Sequence, residues 1–274
     1  MDNDTLRKVQ LAMLDIAKDI KHACEILGIN YILDSGTLLG AVRHQGFIPC
    51  DDDLDIGMLR NDYEVFIKEA PSILGNKYFL QTWDSDSQYA MPFAKVRRNN
   101  SCYIEAGAFS SSMHNGIYVD VFPWDVFPED IKKQKWQGRW IWVLKRLIMM
   151  KCKYTPWRAD AHPFVKYIAY LPIRFLALFL TKDIIKKKYK EISTIFNTEK
   201  SKYYYEQGGA SKYGRFIAPV NCFSRFEELI FENEKFKGPH DADSYLKANY
   251  GDYMVLPPEE KRHNRHKIEK IVFP

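Results

Sequence analysis

The chain has 274 residues, 46% of them hydrophobic and 15% aromatic, which supplies a substantial core and excludes a disordered protein. Its five cysteines (Cys24, Cys50, Cys102, Cys152, Cys222) are odd in number and scattered, with no C-x-x-C pair; this argues against a disulfide framework or structural zinc site and fits a reducing compartment. The net charge of +5 hides an asymmetry, because residues 131–182 hold twelve Lys or Arg against one acid, Asp160, and carry +11 while the remainder carries −6.

The opening residues MDNDTLRKVQ are polar and acidic, unlike a secretory signal, so the expected location is the cytoplasm. A first helix is expected over 5–27, with capping side chains in DNDT, apolar Leu6, Val9, Met13, Ile16 and Ile20 at helical spacing, and Gly28 to close it. NYILDSG is a short β-branched and aromatic strand ending in a Ser-Gly turn, and TLLGAVRHQG a short helix closed by Gly46. LDIGM is the next strand and NDYEVFIKEAPSIL an amphipathic helix. KYFLQTW, MPFAKVRRN, SCYIEA and IYVDVFPW are further strands.

Residues 131–200 read as helical throughout, interrupted by Pro156, Pro163 and Pro172. From 201 the mixed character returns, with YEQGGASKYG as a loop and PHDADSYLKANYG as a capped helix. The fold class expected is α/β (α+β), with a catalytic core over 1–130, a helical basic and aromatic segment over 131–200, and a part over 201–274 that completes the core.

The stretch HQGFIPCDDDLDIGM places Asp51, Asp52, Asp53 and Asp55 within five positions. Crowded carboxylates are relieved by protonation or by a cation. Strand alternation sends Asp53 and Asp55 to one face and Leu54 and Ile56 to the core, and two adjacent carboxylates suit Mg²⁺, with Mn²⁺ as its substitute. Upstream, LDSGTLLG gives a strand, a tight Ser35-Gly36 turn and a helix beginning near Thr37, whose free N–H groups favour a phosphate. Downstream, YVDVFPW puts Asp120 in a strand. An anion-binding turn, paired carboxylates and a third carboxylate on a later strand form the layout of the nucleotidyltransferase fold of polymerase β-like enzymes, where metal ions bridge the acids and a nucleotide phosphate. Asp51 and Asp52 are expected behind the ligands or in a solvated turn. Lys95 and Arg97 share one strand face, and Arg43 and His44 end the short helix.

The run YILDSGTLLGAVRHQGFIPCDDDLDIGMLRNDYEVF closely resembles the signature of the LicD family, phosphocholine transferases related to fukutin and fukutin-related protein. PFAKVRRNNS, GIYVDVFPWD and FEELIFENEKFKGPHDADSYLKANYGDYMVLPP continue the match. His263, Arg265 and His266 match a C-terminal cluster of that family. Cys50 departs from it, since a tryptophan commonly precedes the aspartates.

The resemblance implies that a CDP-linked alcohol, typically CDP-choline, donates its phospho-alcohol to a sugar hydroxyl and that CMP leaves. It implies Asp53, Asp55 and Asp120 as metal ligands, with Asp120 also the base, and Ser35, Gly36 and Thr37 holding the donor phosphates with Arg43 and Lys95. The implied acceptor is a surface-glycan precursor of teichoic acid, lipopolysaccharide or capsule type. The alternatives are a CDP-ribitol or CDP-glycerol donor, or an NTP-dependent nucleotidyltransferase acting on a small molecule. A choline donor calls for an aromatic box, whose members the sequence does not single out.

The basic middle segment has no apolar run long enough to span a bilayer and no nucleic-acid motif. Trp, Phe and Leu beside Lys and Arg suit helices lying on an anionic membrane. A helical subdomain that buries its own aromatics is the competing expectation.

Overall fold

The computed structural model describes residues 1–105, 113–152, 171–208, 212–264 and 268–274, without the side chains of Arg174 and Lys261. Pro156, Pro163, Arg265 and His266 lie outside the described residues.

Asp2 accepts the Thr5 N–H at 2.8 Å and starts α1 (Asn3–Leu27), and Gly28, left-handed at φ 65°, ends it. The predicted stripe of Leu6, Val9, Met13, Ile16 and Ile20 is buried. β1 (Ile32–Leu33) is only two residues long, shorter than expected, because Asp34 already caps α2 (Ser35–His44). That helix starts before Thr37 and ends on Gln45 at φ 55°, one residue short of Gly46. β2 (Asp55–Leu59), α3 (Arg60–Leu74), β3 (Tyr78–Gln81), β4 (Ala94–Arg98), β5 (Cys102–Glu105) and β6 (Tyr118–Phe127) follow at the places the sequence indicates.

The main sheet runs β1-β2-β6-β4-β3, with β6 parallel to β2 and antiparallel to β4. The far half of β6 pairs with β7 (Tyr203–Glu206), which pairs with β8 (Ile217–Pro219). One sheet face carries Leu54, Ile56, Met58, Val96, Val119 and Val121, all buried in the core against α1 and α3. On that side Asp125, buried, accepts Arg60 Nε at 3.0 Å, Arg60 Nη2 at 2.6 Å and Asn197 Nδ2 at 2.6 Å, tying α3 to β6. Alternation leaves Asp55, Lys95 and Asp120 on the opposite face.

α4 (Ile131–Lys151), α5 (Leu171–Phe179) and α6 (Lys182–Thr194) form the helical stretch. Ile141, Leu144, Leu147, Ile148, Ile185 and Tyr189 make a second core that also takes in Tyr205 of β7. Pro172 lies within α5, which is described from Leu171 on. The chain then forms a hairpin, β9 (Phe226–Phe231) and β10 (Glu234–Pro239), turned on Glu232 and Asn233 at φ 54° and 66°. These are the two left-handed positions of a type I′ turn. α7 (Ala242–Tyr250) is capped by Asp241, and β11 (Ile268–Val272) pairs with β5. No described helix is long and apolar enough to cross a membrane.

Candidate active site

The β1–α2 junction is built around Asp34, a fully buried carboxylate. Its Oδ1 accepts the Ser35 N–H at 2.7 Å and the Tyr245 hydroxyl at 2.5 Å, and its Oδ2 accepts Trp124 Nε1 at 2.7 Å. Burial raises the Asp34 pKa, and these hydrogen bonds pull it back. Ser35 sits at φ 45°, in the left-handed region, where a non-glycine residue costs about 1–3 kcal/mol and persists only if its surroundings hold it. Asp34 and Tyr245 do so, since the Ser35 N–H also points at the Tyr245 oxygen at 3.2 Å. Gly36 lies close to the acidic run, since a Cβ there would lie 3.0 Å from Asp51 Oδ2. Thr37 is buried, and its hydroxyl accepts the Asp55 N–H at 2.8 Å. Of the three residues implied for the donor phosphates, Thr37 therefore acts as a splint for the first residue of β2.

Asp55 and Asp120 are direct partners on the parallel strands β2 and β6, and Lys95 of β4 is the partner of Asp120 on its other side. The Asp120 N–H bonds Leu54 O at 3.0 Å, and the Asp34 N–H bonds Asp55 O at 3.0 Å. Sheet register thus brings together acids 65 positions apart in the chain. Asp53 and Asp55 are half-buried, while Leu54 and Ile56 are fully buried, as alternation requires. Lys95 Nζ meets Asp120 Oδ1 at 2.6 Å and lies 3.4 Å from the Tyr118 ring centroid. Arg97, on the same face, is occupied in structure: it bonds Gln81 Oε1 at 2.5 Å and Gly116 O at 2.7 Å.

The electrostatics match the crowding. Burial pushes the Asp55 carboxyl well above its usual range, and Asp53 and Asp120 push it further, followed by Asp34 and Glu206. Asp120 rises to about 6 through burial, although Lys95 and Arg97 oppose the rise. Among the described residues, no three His, Cys, Asp or Glu side chains are already gathered closely enough to hold a metal ion. Even so, an all-carboxylate donor set in which Asp53 and Asp120 raise the charging cost of Asp55 fits a hard cation.

Arg43 goes elsewhere. Its Nη1 donates to Tyr253 O at 2.7 Å, and it lines a cleft of about 1650 Å³ with His44, Cys50, Asp51, Arg262 and His263. The lining of this cleft includes none of Asp53, Asp55 and Asp120. Asp51 forms part of its wall, whereas Asp52 is fully buried, its carbonyl accepting the Tyr103 hydroxyl at 3.3 Å. A solvated turn is therefore wrong for Asp52. The sequence reading missed Asp34, Trp124, Tyr245 and Glu206; the one local signal was an aspartate directly before Ser-Gly, a helix N-cap.

The family described as "LicD/FKTN/FKRP, nucleotidyltransferase domain" matches residues 28–158. Over 98% of its length the chain is 30% identical to the lipopolysaccharide cholinephosphotransferase LicD of Haemophilus influenzae, and the match covers 98% of that protein. Over 36% of its length it is 28% identical to the ribitol 5-phosphate transferase FKRP of Mus musculus, covering 20% of that protein. A stretch of 55 residues is 51% identical to part of an uncharacterized protein, RP689, of Rickettsia prowazekii, covering 20% of this chain and 21% of that protein.

Proposed function

Because the chain belongs to the LicD family, which includes the phosphotransferases named above, we propose that it transfers phosphocholine from CDP-choline to a sugar hydroxyl of a surface-glycan precursor. The observation that carries this reading is the register of Asp55 against Asp120, with Asp53 beside them and Lys95 on the Asp120 carboxylate. In this reading the sheet and its flanking helices are a nucleotidyltransferase core, formed by residues 1–130 and completed by 201–274, with the helical segment over 131–200 beside it.

Asp53, Asp55 and Asp120 would hold Mg²⁺, or Mn²⁺ in its place. When bound, the ion neutralises charge on the transferring phosphoryl group. The other roles fall to the chain's own side chains. The Ser35-Gly36 turn and the N-terminus of α2 receive the donor phosphates, kept in shape by Asp34, Trp124 and Tyr245. Asp120 takes the proton of the attacking sugar hydroxyl. Lys95 orients that carboxylate. The sugar oxygen–phosphorus bond forms, the bond to the CMP oxygen breaks, and CMP leaves with its electron pair. Arg43, in the neighbouring cleft, stands apart from this arrangement.

A CDP-ribitol donor is the second reading, favoured by the match to a ribitol 5-phosphate transferase. Incubation with Mg²⁺, a glycan extract and each labelled donor separates the two. CMP and labelled glycan from CDP-choline are expected. Transfer from CDP-ribitol alone would select the second reading, and pyrophosphate release from CTP would reject both.

The proposed location is the inner face of the cell membrane, held peripherally. α5 exposes Phe175 at 65%, Leu178 at 75% and Phe179 at 69%, and Lys132 and Lys135 on α4 are exposed too, while Lys133 is paired with Glu199 at 2.6 Å. Each cation at the surface contributes about 1 kcal/mol. The protein should sediment with anionic vesicles at low salt and leave them as salt rises. Leu178→Asp with Phe179→Asp should abolish sedimentation; an unchanged bound fraction would show that α5 does not face lipid.

A further inference from the structure

A groove of about 1100 Å³ lies between α4 and the β7–β8 hairpin. Its charge is one-sided. Among the described residues, Lys135, Arg139, Lys145, Arg146 and Lys212 line it, and Glu206 is the single carboxylate. The other two described cavities mix the signs: the cleft beside Arg43 has Asp51, Glu232 and Asp252 in its wall, and the one beside Arg60 has Glu64, Asp84 and Asp183.

The groove is built by helical spacing. Lys135, Arg139, Trp142 and Arg146 recur at three and four residues and fall on one face of α4. The Arg146 guanidinium lies 5.8 Å from the Trp142 ring centroid. Opposite stands Tyr213, whose hydroxyl donates to Gln137 Oε1 at 2.5 Å. Gly138 makes room for it, since a Cβ there would come within 2.7 Å of the Tyr213 ring. Trp142 is 47% exposed and Tyr213 half-buried, so partly exposed aromatic side chains stand among the cations.

Packed side chains link the groove to the strand that carries Asp120. Lys145 donates to Gly208 O at 2.8 Å, and Glu206 is the register partner of Trp124 on β6. Gly208 abuts Phe93, whose ring lies 4.4 Å from that of Phe122, two residues beyond Asp120 on the same strand face. Glu206 is among the charges that raise Asp55.

Resting on the phosphotransferase reading, we propose that this groove is the acceptor site and takes a sugar that already carries a phosphate. The aromatic faces stack on the sugar ring, and the cations of α4 with Lys212 bind the phosphate. A free hydroxyl of the same chain then reaches toward Asp120.

Trp142 provides the readout. Glucose 6-phosphate should quench the intrinsic fluorescence saturably, and glucose or inorganic phosphate alone should bind at least about tenfold more weakly. Trp142→Phe should remove the signal, and Arg139→Glu or Lys212→Glu should weaken binding about tenfold each. No saturable change with glucose 6-phosphate, an unchanged signal in Trp142→Phe, or wild-type affinity in both charge reversals would overturn the proposal. So would quenching as strong by an oligothymidylate, which would mark a nucleic-acid surface. A wild-type thermal shift with CDP-choline and Mg²⁺ separates two failures: donor binding without glucose 6-phosphate binding removes only the acceptor site, whereas loss of donor binding removes the phosphotransferase reading itself.

Discussion

Asp55→Ala should lower phosphocholine transfer by about a thousandfold or more, the scale of removing a group that stabilises transition-state charge. The variant should fold normally and, without metal, resist heat at least as well as the wild type. The heat resistance has an electrostatic cause. Asp55 is held in a partly buried position beside Asp53 and Asp120, so its charged form is disfavoured in the folded state, and truncation relieves that repulsion.

The pH dependence follows from the same shifts. A carboxyl whose folded pKa is raised binds its proton more tightly in the folded chain. Its stabilising contribution is complete below the unfolded value of about 4 and disappears as pH rises toward the folded value. For Asp120 that value is about 6, and Asp55 is raised well beyond the usual range too. The melting temperature in EDTA should therefore fall between about pH 4 and 6. Mg²⁺ should restore it progressively as the carboxylates ionise. Asp55→Ala should flatten both trends, and a wild type with the same pH profile in EDTA and Mg²⁺ would argue against a cation at these acids.

The second large effect is expected at Asp34, which no substrate needs to touch. Asp34→Ala removes the cap of α2 and leaves the Trp124 indole N–H and the Tyr245 hydroxyl buried without their acceptor. Each buried donor left without its acceptor costs about 1–3 kcal/mol, and the lost cap about 0.5–2 kcal/mol more. Transfer should fall as well, because the left-handed Ser35 loses the contacts that hold it. Trp124→Phe should cost about 1–2 kcal/mol, since Asp34 keeps two of its donors. Urea denaturation measures both, and an Asp34→Ala loss no larger than that of Trp124→Phe would show that the carboxylate does not organise the turn.

What could be read from the chain alone was what local periodicity encodes. The alternation of Asp53 and Asp55 against Leu54 and Ile56, the shared face of Lys95 and Arg97, and the strand around Asp120 all follow from a two-residue repeat. The partners of those residues did not follow. Asp34 is completed by Tyr245, and Arg43 is drawn to Tyr253, each more than two hundred positions away. Asp125 likewise finds Arg60 and Asn197 through the fold rather than the neighbourhood. Asp52, expected behind the ligands or in a solvated turn, is fully buried, and its carbonyl meets the hydroxyl of the distant Tyr103. The α4 groove was equally hidden, because the residues facing its cations come from the β7–β8 hairpin.

The most direct measurement is CMP release from CDP-choline with a glycan acceptor, run in parallel for the wild type in Mg²⁺, the wild type in EDTA, and Asp55→Asn in Mg²⁺. If the acids paired across β2 and β6 perform the transfer, CMP appears one-for-one with labelled glycan in the first reaction and in neither of the others. CMP formed at an undiminished rate by Asp55→Asn, or by the wild type in EDTA, would contradict it.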